Sequence, residues 1–131
     1  MIKRVQSGII AKYLKDRKVL VLSGARQVGK TTLIEQLQPQ LEKPVIFFNG
    51  DETDIRELFH APSSAKLKKL IGAAKTVVID EAQRIENIGI VLKLIYDNIR
   101  SVKIIATGSS SFDLANKINE PLTGRKWEFQ I

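Results

Sequence analysis

Val19-Leu20-Val21-Leu22-Ser23-Gly24-Ala25-Arg26-Gln27-Val28-Gly29-Lys30-Thr31-Thr32 is the stretch that decides the fold of this chain. A short apolar run of strand type leads into Gly24 to Thr31, which fits the pattern G-x-x-x-x-G-K-[ST], and then into a helix-forming segment. Phosphate binding accounts for each part. The glycines let the backbone wrap a phosphate, and consecutive amide hydrogens turn inward as an anion nest. A helix starting near Gly29 aims its positive end at the same group. In this reading Gly24, Ala25, Arg26, Gln27, Val28, Gly29, Lys30, Thr31 and Thr32 form the binding loop. Lys30 reaches the β- and γ-phosphates, and the Thr31 hydroxyl is a ligand for Mg2+.

The rest of the composition suits such a site. The chain has 131 residues, room for one domain with a core over 1–131. No cysteine is present, which excludes disulfides and thiolate metal sites and agrees with a reducing cytoplasm, the expected location. No apolar run approaches a membrane span and no leader is visible, so no membrane partner is expected. The net charge of +7 fits an anionic ligand such as a nucleotide, and it also fits nucleic acid. The cations are spread along the chain: Lys3, Arg4, Lys12, Lys15, Arg17 and Lys18 early, then Lys66, Lys68, Lys69 and Lys75. Solvated helix faces are the plainer source of this charge and a nucleic-acid patch the sharper one. No aromatic residues interleave with these clusters as they would in a stacking platform for single strands.

Outward from the loop, strands and helices alternate. Ile2, Val5, Ile9 and Tyr13 recur at helical steps, giving an expected amphipathic helix over 1–17. Strand one covers Lys18 to Leu22, and the helix after the loop buries Leu33, Ile34 and Leu37 before Pro39 stops it. Val45 to Phe48 is an unbroken apolar run, as expected for a parallel strand covered on both faces. A turn at Asn49-Gly50-Asp51 precedes a helical segment with Ile55, Leu58 and Phe59, and His60 at its end reads as a surface residue. Ser63 reads as an N-cap for a helix with Leu67, Leu70 and Ile71 inward, ended by Gly72. Strand three is Thr76 to Asp80. Ile85, Ile88, Leu92, Ile95 and Ile99 give the strongest helix pattern, strand four is Val102 to Thr107, and Leu114 and Ile118 mark a short helix. Lys126 to Ile131 is the fifth strand, with Trp127 and Phe129 as core. The result is an α/β fold with a mainly parallel sheet, whose ligands sit beyond the carboxyl ends of the strands.

A second motif lies at such an end. Thr76-Val77-Val78-Ile79-Asp80-Glu81 is an apolar strand closing on two acids, fifty residues after Lys30 with one strand between. Neighbouring residues on an extended strand point different ways. Asp80 can therefore face Mg2+ while Glu81 faces the attacking water as a general base.

Gly24-Ala25-Arg26-Gln27-Val28-Gly29-Lys30-Thr31-Thr32, Val77-Val78-Ile79-Asp80-Glu81-Ala82-Gln83 and Ala106-Thr107-Gly108-Ser109-Ser110 together resemble the P-loop ATPases of AAA+ type. More narrowly they resemble the predicted ATPases of archaea and bacteria whose loop reads Gly-Pro/Ala-Arg-Gln-Val-Gly-Lys-Thr. The resemblance spans almost the whole chain. It implies a three-layer P-loop NTPase with a five-stranded sheet in the order 5-1-4-3-2, a Walker A loop at Gly24 to Thr31 and a Walker B pair at Asp80 and Glu81. It also implies a polar sensor at the end of strand four, for which Thr107 comes first and Ser109 second; the alternative is that Ser109 to Ser111 cap the next helix. Arg125 matches a Gly-Arg segment before the last core strand; a structural salt bridge is the first reading for it and an arginine finger the second. Members usually continue into helical lid elements and a further domain, which are expected to be absent here because the sequence stops at Ile131.

The function expected on this basis is Mg-dependent hydrolysis of ATP to ADP and phosphate, with Lys30, Glu81, Thr107 and Arg125 in catalysis and Thr31 and Asp80 on the metal. A nucleotide-sensing module with little turnover, associated with DNA, is the alternative, and the short chain favours it. A homo-oligomer is compatible with a finger acting between subunits. A small-metabolite kinase would need a substrate insert and an arginine-bearing lid, and a helicase of Asp-Glu-Ala-x type would need a second domain.

Overall fold

The computed structural model describes residues 10–24, 27–109, 117, 118 and 120–130, with the backbone alone for 27–31 and 130. Five strands, β1 (Val19–Ser23), β2 (Val45–Asn49), β3 (Thr76–Asp80), β4 (Lys103–Gly108) and β5 (Lys126–Gln130), form one sheet in the order β2-β3-β4-β1-β5. Every pairing is parallel. This is the expected 5-1-4-3-2 order read from the other edge. Among the described residues four α-helices connect the strands: α1 (Gln27–Leu37), α2 (Thr53–Leu58), α3 (Ser64–Ile71) and α4 (Ile88–Asn98).

Strand alternation divides the core into two layers. Val19, Val21, Val77, Ile79, Ile104 and Ala106 face one way, where Leu67 and Ile71 of α3 and Ile88, Leu92 and Ile95 of α4 cover them. Leu20, Leu22, Val78 and Ile105 face the other way, beneath Leu33 and Leu37 of α1 and Ile10. The Ser63 cap forms as expected: its backbone is extended and its side chain accepts the Lys66 N–H at 3.1 Å. Gly72 ends α3 with φ +58°.

One expectation needs correction, and another falls largely outside the described residues. β2 is an edge strand and is not covered on both faces: Phe47 is 48% exposed. Val45 packs against the cluster that Leu33, Leu37 and Leu41 share with Leu20 and Val78, and Phe47 is not among the residues of that cluster. Two of the early cations rest on aromatic rings. The Lys18 ammonium lies 4.3 Å from the Trp127 ring centre and the Arg17 guanidinium 4.6 Å from that of Tyr96. Residues 1–9 of the helix expected over 1–17 lie outside the described residues. In the remainder of that span Ile10 is helical, Ala11–Leu14 form a 3-10 turn and residues 15–17 a bend.

This N-terminal segment is bolted to the amino-terminal end of the sheet by Lys103. Its ammonium donates to the carbonyls of Tyr13 (2.6 Å), Asp16 (3.0 Å) and Lys18 (2.5 Å) and to Asp16 Oδ1 (3.2 Å). Burial pushes this ammonium below its ordinary value, and Asp16 pulls it back part of the way. Trp127 Nε1 donates to the other Asp16 oxygen at 2.6 Å. Trp127 and Phe129 are half-buried around Tyr13, with ring centres 5.0 and 4.7 Å away. No helix among the described residues is long and apolar enough to cross a membrane.

Candidate active site

Register brings the two motifs to one end of the sheet. Ser23 lies beside Gly108, and Ile79 beside Ala106, so Gly24, Asp80 and Thr107 all stand at carboxyl ends of neighbouring strands. The Gly24 N–H donates to the Gly108 carbonyl at 3.0 Å, extending the β1–β4 pairing into the loop. Helix α1 then starts at Gln27, with Gly29, Lys30 and Thr31 in its first turns. Its first amides have no intrahelical partners, so the helix start at this strand end is a ready anion site. Ala25 and Arg26 lie outside the described residues, as do the side chains of Gln27, Val28, Lys30 and Thr31. Thr32 is exposed on α1.

Asp80 is held from two sides. The Thr107 hydroxyl, on a residue with no exposed surface, donates to Asp80 Oδ1 at 2.5 Å, and the Glu81 N–H donates to the same oxygen at 2.9 Å. The strand ends here and Glu81 turns left-handed, with φ 49° and ψ 46°. The expectation that the two acids diverge as neighbours on an extended strand is therefore replaced by a tight turn. Such a conformation in a non-glycine residue costs about 1–3 kcal/mol and is found where a side chain must be aimed. Here the turn sends the Glu81 side chain across to β4. Its Oε1 accepts from the Ser109 N–H at 3.1 Å and from Gln83 Nε2 at 3.2 Å, and only 6% of the residue is exposed.

A glycine makes the turn possible. The Gly50 N–H donates to the Asp80 carbonyl at 2.7 Å, and a Cβ on Gly50 would lie 2.2 Å from the Glu81 carbonyl oxygen. The end of β2 thus supports the acidic turn from below with no space to spare.

Arg125 does not join this group. β5 is parallel to β1 and pairs Lys126 with Val19, so Arg125 stands at the amino-terminal end of the sheet. Five residues of strand, roughly 16 Å at about 3.3 Å each, separate it from the phosphate loop. Its Nε donates to Asp97 Oδ1 at 3.2 Å, the salt-bridge reading. A finger reaching the nucleotide of its own chain is incompatible with that place. Two residues that the sequence did not single out as site residues do join the group: Gly50 and Gln83.

The carboxylate fits a hard divalent ion. Among the described residues no three His, Cys, Asp or Glu side chains cluster as a metal site of their own. A cation at Asp80 thus has one or two carboxylates to draw on, and Mg2+ is held that way beside phosphates.

Comparison with known proteins agrees with this geometry. Residues 16–131 match the family described as an AAA domain. An uncharacterised protein of Mycobacterium tuberculosis is 30% identical over 124 residues, a match covering 94% of this chain and 27% of that protein. An uncharacterised protein of Methanocaldococcus jannaschii is 29% identical, covering 80% and 24%. The chain therefore spans about a quarter of the length of these relatives. Among solved structures, the Walker-type ATPase PABY2304 of Pyrococcus abyssi superposes with a TM-score of 0.60 at 20% identity, covering 95% of this chain and 51% of that one. A DNA replication initiation factor superposes with a TM-score of 0.62 at 15% identity, covering 94% and 43%. By its family match, its sheet order and the placement of its two motifs, the chain belongs to the AAA domain family of P-loop ATPases.

Proposed function

We propose that this chain binds Mg·ATP at the carboxyl end of its sheet and hydrolyses it to ADP and phosphate, driving a conformational change in the larger protein of which such domains form part. One observation carries the reading. Asp80, Glu81 and Thr107 converge within hydrogen-bond distance of one another or of shared partners, beside Gly24 and the start of α1.

The roles follow from position. The amides of Gly24 to Thr31 and the Lys30 ammonium bind the phosphates, and Thr31 and Asp80 hold Mg2+. When bound, the ion neutralises charge on the β- and γ-phosphate oxygens. Thr107 orients Asp80 by its hydroxyl. Glu81 accepts a proton from water as the water oxygen bonds to the γ-phosphorus and the bridging P–O bond breaks, releasing ADP. The loop letters support the narrower kinship with the archaeal and bacterial ATPases, and the absence of cysteine supports a cytoplasmic setting. The net charge of +7 supports a polyanionic partner such as DNA.

Phosphate release under saturating Mg·ATP tests the reading. Glu81→Gln should retain ATP binding and lose turnover by about 10²–10⁴, the usual contribution of a general base. A Glu81→Gln protein that hydrolyses ATP at the wild-type rate would overturn the assignment.

A further inference from the structure

Gln83 has no part in the chemistry described above, yet it lies at the centre of the site. It follows Glu81 by two residues in the 3-10 turn Ala82–Arg84. Its Nε2 donates to Glu81 Oε1 at 3.2 Å and to Ser109 Oγ at 3.2 Å, while the Ser109 N–H donates to the same Glu81 oxygen at 3.1 Å. The Gln83 carbonyl accepts from Lys117 Nζ at 2.6 Å, which pins the turn without the side chain's help.

The orientation of this amide is forced. An ionised carboxylate only accepts, so the NH2 end of Gln83 must face Glu81. The oxygen end is then turned inward, where Gln83 Oε1 is buried without a hydrogen-bond partner among the described residues. Buried polar atoms normally find partners, and a side chain kept for packing would serve better as an apolar residue of the same shape. Both N–H groups of the Gln83 amide are matched, one by Glu81 and one by Ser109, and this bridge is what the side chain supplies to the site.

We propose that Gln83 is a positioning residue for the general base. Together with the Ser109 amide it clasps Glu81 Oε1 at the end of β4, next to the phosphate-binding end of β1. The side chain of Glu81 is thereby fixed relative to the loop after β4. This deepens the ATPase reading and rests on it.

The test uses the full chain with Gln83→Met, which keeps the shape and removes both polar groups, Gln83→Glu, which replaces the donor by a second carboxylate, and Ser109→Ala. Gln83→Met should lower kcat roughly tenfold to a hundredfold, the usual range for an orienting partner, with KM for ATP and Tm little changed. Gln83→Glu should lose more. Ser109→Ala, which keeps its N–H, should lose less. In a Glu81→Gln background Gln83→Met should cost nothing further. The Ser109 amide proton, observed by NMR, should move on Glu81→Gln and again in the same sense on Gln83→Met, a signature that needs no turnover.

The proposal is overturned by a Gln83→Met protein with wild-type kcat, by a loss of equal size in the Glu81→Gln background, or by a Ser109 resonance that responds to Glu81→Gln alone. If Glu81→Gln hydrolyses ATP like the wild type, it is the ATPase reading that fails, and the Ser109 resonance still decides whether the clasp exists.

Discussion

Gly50→Ala adds one methyl group at the point where the end of β2 meets the acidic turn. The new Cβ would lie 2.2 Å from the Glu81 carbonyl oxygen, 3.0 Å from its carbon and 3.1 Å from the Asp80 carbonyl oxygen. All three are backbone atoms, so no side chain can swing aside. Relief to a 3.0 Å contact needs a shift of at least ~0.8 Å between two chain segments, and the Gly50–Asp80 hydrogen bond of 2.7 Å does not survive it. Overpacking of this kind costs ~1–3 kcal/mol and the lost bond ~1 kcal/mol, together ~2–4 kcal/mol. At an unfolding entropy of ~2.1 cal/mol/K per residue, that lowers the Tm of a chain this size by about 7–15 °C. Calorimetry measures it directly. Because the displaced atoms belong to Asp80 and Glu81, turnover in the protein that remains folded should fall as well. Gly72→Ala is the control: its φ of +58° is unfavourable but open space surrounds it, so its loss should be smaller and turnover intact. A Gly50→Ala protein melting within ~2 °C of the wild type, with undiminished hydrolysis, would refute the close support of the turn.

Three further outcomes are expected. Thr107→Val should weaken Mg·ATP binding and cost about 1–3 kcal/mol by leaving Asp80 Oδ1 without its hydroxyl donor, while Thr107→Ser should retain most of both, as read by titration calorimetry and denaturant melts. Ser63→Ala should cost about 1 kcal/mol through loss of the cap, about 3–4 °C in Tm, without altering turnover. For Asp16, partial burial raises the carboxyl, but hydrogen bonds from Trp127 and Lys103 and the Lys103 charge outweigh it and hold the group below 3.8. A carboxyl lowered on folding stabilises fully above its unfolded value and loses that contribution as pH falls through its folded value. The Tm gap between wild type and Asp16→Asn should therefore be steady above pH 5 and close below pH ~3.8; a gap that widens in acid would contradict the lowering.

The strands were legible because inner parallel strands are continuous apolar runs, and Val19 to Ser23, Thr76 to Asp80 and Lys103 to Gly108 are of that kind. The same letters mislead at the edge, since Val45-Ile46-Phe47-Phe48 reads no differently from an inner strand and only the sheet order leaves Phe47 exposed. Asp80 and Glu81 were legible as an apolar strand closing on two acids and Thr107 entered through the family resemblance; the structure brings the three to one end of the sheet. For Arg125 the salt-bridge reading is the one the structure shows, and the finger reading fails within one chain because a residue entering a strand parallel to β1 arrives at the end opposite the phosphate loop. Gly50 and Gln83 depend on the left-handed turn at Glu81, a conformation no composition rule assigns to glutamate, so their contacts became visible only in three dimensions.

The most direct measurement is thermal unfolding with and without Mg·ATP, on the wild type and on Lys30→Ala. Ligand at 100 times its Kd stabilises the native state by about 2.7 kcal/mol, a rise of about 10 °C for a domain of this size. That rise is expected in the wild type and should vanish in Lys30→Ala. No rise at millimolar nucleotide, or an equal rise in both proteins, would contradict a nucleotide site at the carboxyl end of this sheet.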